Sequence, residues 1–213
     1  MTVKLMKLAL SGWLVALRRS AARLGRDKRG NAAIEFAVIV PVMLTMFFGV
    51  VEFSSAVAVK RKISMAAEEL ADLAARYKEV PDTEIDNFFK IARAVITPYS
   101  TTVLKATITE IYIDPATGLG RAQWSKGDVV RLPGSTVPVP ANLIARDATN
   151  NILASQYLIF AETSYVYVPA VGYVMAKAGV PLNDVSYMRP RLSTCVFYPT
   201  TPNPATCPKS LTP

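Results

Sequence analysis

The sequence predicts an α+β protein, with a long N-terminal transmembrane and stem helix followed by a small domain with an antiparallel sheet. Three observations carry this reading. Residues 32–59 are overwhelmingly apolar, interrupted by Glu35 and Glu52 and bracketed by Arg26-Asp27-Lys28-Arg29 and Lys60-Arg61-Lys62. Residues 63–77 then switch to the helical period, with Ile63, Ala66, Leu70, Leu73, Ala74 and Tyr77 on one side and Glu68, Glu69, Asp72 and Arg76 on the other. Beyond Pro98 the pattern changes again, to a period of two rich in β-branched residues.

Taken in order, residues 1–30 form a basic leader. It holds Lys4, Lys7, Arg18, Arg19, Arg23, Arg26, Lys28 and Arg29 against Asp27 alone, so most of the chain's net charge of +8 lies there. The apolar run Leu8 to Leu17 is too short to cross a bilayer and reads as a basic amphipathic segment lying on acidic lipid. The run from Ala32 onward is long enough, since a spanning helix needs about 20 residues. Pro41 removes one internal hydrogen bond, to the carbonyl of Ala37, which membrane helices tolerate with a local bend. The heavier basic flank is N-terminal, so the positive-inside rule places the leader in the cytoplasm and everything after Lys62 outside. Residues 31–78 are expected to form one transmembrane and stem helix, roughly 70 Å long at 1.5 Å per residue.

Residues 79–213 are expected to form the exported domain. Pro81 ends the stem, and Asp82 to Thr97 reads as a second helix with Ile85, Phe88, Phe89, Ala92 and Ile96 on its apolar face. Thr101 to Asp114 reads as a strand, Asp114-Pro115-Ala116-Thr117-Gly118 as a turn, and Arg121 to Ser125 as the return strand. Gly127 to Asn151 is loop-like with room for a short helix. Tyr157 to Val168 reads as a third strand and Val185 to Leu192 as a fourth.

Composition narrows the function classes. Outside the leader the charges nearly balance, and a nucleic-acid binder should carry a basic, aromatic-bearing face on its folded domain. The chain has no histidine, the side chain most used for proton transfer near neutral pH and for transition-metal ligation. Its two cysteines, Cys195 and Cys207, lack the four-ligand grouping of a structural zinc site. In an exported tail they read as a disulfide around Pro199, Pro202 and Pro204. The carboxylates Asp114, Asp128, Asp147 and Glu162 are scattered over turns, loops and a strand, and no phosphate loop, nucleophile elbow or catalytic dyad can be placed. No catalytic, cofactor-binding or metal residues are expected, nor a small-molecule substrate. Tyr165, Tyr167, Tyr173 and Tyr187 fit either an adhesive surface or half-buried sheet positions.

The stretch Arg29-Gly30-Asn31-Ala32-Ala33-Ile34-Glu35-Phe36-Ala37-Val38-Ile39-Val40-Pro41-Val42 resembles the start of the TadE/TadG-like pseudopilins, in which a basic leader and a Gly precede small residues, Glu-Phe-Ala and an apolar segment with a Pro. Gly49-Val50-Val51-Glu52-Phe53 and the Ala-rich run from Ala66 to Ala75 are similar as well. More weakly so are Trp124-Ser125, Tyr165-Val166-Tyr167 and Met188-Arg189-Pro190-Arg191. The specific match covers about 50 residues; larger TadG-like members carry a further binding domain for which this chain has no room, so the shorter TadE-like form is the better fit.

The resemblance implies a minor pilin or assembly component of a Tad-type pilus, a system of adhesion and secretion, anchored in the bacterial inner membrane. Its partners would be a prepilin peptidase and other Tad pilins. It further implies cleavage after Gly30, leaving Asn31 as the new amino terminus and Glu35 as the fifth residue of the mature chain. Phe36 stands where pilins of this system usually carry Tyr. Glu35 would pair with the new α-amino group on a neighbouring subunit and set the register between subunits. Without cleavage it would be a boundary residue beside Lys28 or Arg29. Glu52, near the far interface, is expected to matter less. The competing reading is a signal-anchored periplasmic enzyme or sensor whose work is done by residues 82–213.

Overall fold

The computed structural model describes residues 31–169, 179–198 and 207. The leader, Gly30, Tyr173 and the prolines between the cysteines lie outside these. The chain divides into two compact units, Met1–Val51 and Glu52–Pro213.

The first unit contributes the beginning of helix α1, which covers Asn31–Ala75. From Ala32 to Val51 no side chain is buried, as expected where every direction around the helix is apolar. The helix runs through Pro41 without a break, and Thr45 Oγ1 donates to the Pro41 carbonyl at 2.8 Å. A proline lacks the N–H that would bond the carbonyl four residues earlier, so only one rung of the ladder is lost.

In the second unit the rest of α1 is a domain helix. Sequence reasoning gives residues 31–78 to the transmembrane and amphipathic stem helix and the domain from 79 onward; Val59, Ile63, Ala66, Leu70, Ala71 and Ala74 of this helix are buried in the main core. The amphipathic stripe of the supposed stem is what the sheet covers, and its alanines allow close approach. Lys60 and Lys62 likewise serve the domain, donating to Asn183 O, Val95 O and Thr97 O.

Helix α2, Asp82–Ile96, matches expectation and buries Ile85, Phe88, Ala92 and Ile96 against the same core. The sheet has five strands in the order β3-β2-β1-β4-β5, every pair antiparallel. They are β1 Lys105–Ile113, β2 Gly120–Gly127, β3 Thr136–Val137, β4 Gln156–Tyr167 and β5 Val180–Met188. Central β1 is buried on both faces. Ala106, Ile108, Trp124, Ile159, Ala161 and Tyr165 meet the helices, while Ile111, Ile113, Ala122, Val137, Leu158 and Phe160 form a second core beneath the loop between β3 and β4.

Two expectations are corrected. The fourth predicted strand, Val185 to Leu192, is displaced toward the N-terminus because β5 pairs from Val180 opposite Tyr167 to Met188 opposite Ile159. The loop-like stretch after Gly127 holds the short helix it had room for, a 3-10 helix at Ala141–Leu143, but also the unexpected short strand β3. Strand β5 is an edge strand that is withdrawn from further pairing: Pro181 has no N–H, Lys60 occupies the Asn183 carbonyl at 2.5 Å, and Asp184 Oδ1 accepts the Val185 N–H at 2.9 Å.

Residues 189–198 close over the end of α1. Arg191 N donates to Ala75 O at 2.9 Å, satisfying a helix-terminal carbonyl, and the Arg191 and Arg76 guanidinium groups both pair with Asp72. Phe197 bonds both ways with the chain after the helix, its N–H to Lys78 O and its carbonyl from Val80 N. Cys195 and Cys207 are joined by a disulfide.

Candidate functional site

The residues to which sequence reasoning assigns processing and assembly lie at the start of α1. Asn31 is its first residue, Gly30 lies outside the described residues, and Glu35 and Phe36 are exposed on successive positions of its first turns. Adjacent helical positions point about 100° apart, so Glu35 and Phe36 face different directions. Large apolar side chains continue outward on every side, among them Phe36, Met43, Met46 and Phe47. A surface of that extent has no stable place in water. By length and composition this helix can cross a membrane, and the exposed part from Ala32 to Val51 rises about 30 Å, the thickness of a bilayer's hydrocarbon core.

The second unit begins with a residue whose burial sequence reasoning does not foresee. Glu52, expected to be a minor charge near the far interface, is buried and accepts a hydrogen bond from the Tyr167 hydroxyl at 2.8 Å. Burial and then the Glu52 carboxylate hold the Tyr167 hydroxyl above its ordinary range. The last residue of β4 is thereby tied to the first residue of the unit. An apolar–acid–aromatic sequence carries no local sign of such a pairing, which joins positions far apart in the chain.

A second buried acid, Glu110 on β1, lies beneath the tail. Its Oε1 accepts the Val196 N–H at 2.5 Å, and Trp124 Nε1 donates to the Val196 carbonyl at 2.8 Å, so one residue of the tail is held by both its backbone groups. Oε2 has no hydrogen-bond partner among the described residues. Burial, only partly offset by the Val196 and Trp124 contacts, pushes the carboxyl up to about 8. Sequence reasoning passes over this residue because Glu on a β-branched strand reads as a solvated position.

The other candidates fall into structural roles. Asp114 caps its turn through Ala116 N and Thr117 Oγ1. Asp147 organises its loop through Thr149 and Asn151, and Asp128 accepts Ala106 N. Glu162 pairs bidentately with Arg131 at 2.8 and 2.6 Å. Tyr165 and Tyr167 belong to the main core, and Tyr187 stacks on Phe160, so these three are packing residues and not an adhesive surface. No group of three His, Cys, Asp or Glu side chains placed to hold a metal occurs among the described residues.

No curated protein and no solved structure matches the chain. A family model does match, over the stretch whose motif carries the resemblance. Residues 30–72, which include Asn31, Glu35, Phe36, the apolar helix and the start of its Ala-rich continuation, are similar to the family described as TadE-like protein.

Proposed function

We propose that this chain is a minor pilin or assembly component of a Tad-type pilus, held in the bacterial inner membrane by the first part of α1. The coincidence of the TadE-like match with a helix whose every face is apolar and uncovered supports this reading most directly. Such a helix has two environments open to it, lipid and the apolar helices of other subunits, and pilus subunits exchange one for the other on assembly. In this reading the leader is cytoplasmic, the domain from Glu52 is periplasmic, and a prepilin peptidase cuts after Gly30.

Cleavage removes Lys28 and Arg29 and creates a positive α-amino group at Asn31. Glu35 then pairs with that group on a neighbouring subunit and fixes the axial register. In low dielectric, loss of one member of such a pair costs several kcal/mol, about 3–5 when the other is left buried. Glu35→Ala therefore leaves membrane insertion and protein level unchanged but abolishes co-isolation with other Tad pilins. Wild-type co-isolation of a cleaved, stable Glu35→Ala protein contradicts the registry role. Orientation is tested separately: a reporter active only outside the cytoplasm, fused after Leu211, is active, and activity of a cytoplasm-only reporter there contradicts the export.

A further inference from the structure

The domain's exposed apolar side chains include a group at one end of the sheet. By the strand registers, β1 begins, β2 ends, β4 ends and β5 begins at the same end: Lys105 lies opposite Ser164, Thr107 opposite both Gly127 and Glu162, and Tyr167 opposite Val180. Val103, Val129, Val130, Val166, Val168 and Val180 emerge here, each between 39 and 63% exposed. The pairing Tyr167–Val180 places Val180 on the helix-facing side, whereas Val166 and Val168 alternate to the other side. Both faces of the β4–β5 hairpin end are thus apolar. A strand at a water-facing rim normally alternates.

This is also the end at which the chain enters the domain. Glu52 follows directly on the apolar segment that ends at Val51, and the Tyr167 hydroxyl reaches it at 2.8 Å. Where the segment from Ala32 to Val51 spans the hydrocarbon core, Glu52 lies at the bilayer boundary, and Tyr167, bonded to it, lies there too. Of the charges nearby, Asp128 accepts Ala106 N and Arg131 pairs with Glu162, while the exposed Lys105 is of the sign and type that suits a lipid headgroup layer.

We propose that this end of the sheet rests in the interfacial layer of the membrane leaflet on the domain's side, with Val166, Val168 and Val180 entering the headgroup and upper acyl region. The ligand is the lipid surface itself. The proposal rests on the membrane-anchored reading above and adds a second point of contact to the helix. Two contacts on one chain restrict how the domain can turn about its anchor, since the second engages at a high effective concentration once the first is made. Apolar patches that are continuous with a membrane element are common sites of such contact.

The test uses the full chain in vesicles of phosphatidylethanolamine and phosphatidylglycerol, with part of the lipid brominated along its acyl chains to quench tryptophan. Four variants each add one tryptophan at an exposed position: V168W and V180W at the proposed contact, L153W beside the start of β4 at the opposite end of the sheet, and F47W in the apolar helix. The native tryptophans give the same background in all four. The proposal expects V168W and V180W to be quenched nearly as strongly as F47W and at least about twofold more than L153W. Quenching of F47W with V168W and V180W no stronger than L153W overturns the lipid contact and leaves the anchor standing; a second copy or another protein covering this end gives that result. Quenching of none of the four overturns the anchor and the contact together. Using two positions guards against one substitution disturbing the hairpin locally.

Discussion

Glu110→Gln exchanges a buried carboxyl for a neutral group of nearly the same shape, and the difference between the two side chains depends on pH. Burial raises the Glu110 carboxyl from 4.5 to about 8. Below pH 4.5 the group is protonated in the folded and unfolded chain alike and pH has no leverage. Between 4.5 and about 8 the unfolded chain has released the proton while the folded chain still holds it. Stability is therefore fully present at the acid end of this window and is lost as pH rises through it. One proton corresponds to about 1.4 kcal/mol per pH unit, so raising pH from 5 to 7 removes about 3 kcal/mol, a large part of the 5–15 kcal/mol typical of a domain.

Other groups in the domain that are shifted from their ordinary range lie outside this window. Tyr157 and Tyr112 are shifted upward, chiefly by burial, and titrate well above it. Asp82, Asp114, Asp147 and Asp184 are shifted downward and titrate below it. The chain contains no histidine. Urea unfolding in detergent, followed by Trp124 emission at pH 5, 6 and 7, should show the wild-type midpoint falling with pH. The Glu110→Gln midpoint should fall much less over the same range. Parallel pH profiles for the two proteins would refute the reasoning.

Other perturbations separate the remaining parts of the account. Tyr167→Phe leaves the buried Glu52 carboxylate without this donor and should cost about 1.5–3 kcal/mol, read as a lowered urea midpoint; an unchanged midpoint would make the bond idle. Phe88→Ala opens the core between α2 and the sheet and should cost about 3–5 kcal/mol, whereas exposed Val129→Ala should stay within about 0.5 kcal/mol. Thiol labelling of unreduced protein should find neither Cys195 nor Cys207, and reduction should lower stability by about 3 kcal/mol. Two reactive thiols in the unreduced protein would reject the bond.

The parts of the fold legible in the sequence are those written in local periodicity. Helix α2 was readable from Asp82, the apolar positions Ile85, Phe88, Ala92 and Ile96, and the stop at Pro98. Strands β1 and β4 were readable from their β-branched and aromatic runs, and the turn between β1 and β2 from Asp114 to Gly118. What periodicity could not supply is which surface covers which. The stripe from Val59 to Ala74 is the same for a free stem and for a helix packed on a sheet, and only the tertiary fold decides. Strand β5 was displaced for a related reason: Pro181, Asn183 and Asp184 weaken its strand signal, yet pairing with the long β4 imposes the conformation. Glu52 and Glu110 were missed as buried residues because their partners, Tyr167 and Val196, are distant in sequence. The TadE-like motif was legible because it is local, running from Gly30 through Glu35 and Pro41 into the Ala-rich helix.

The central claim is that the chain is a pilin-like subunit processed at the boundary between leader and helix. Its most direct test is the intact mass of the protein purified from membranes of cells with and without their prepilin peptidase. The account predicts a chain beginning at Asn31 when the peptidase is present and an uncut leader when it is absent. The same uncut mass in both strains would contradict it.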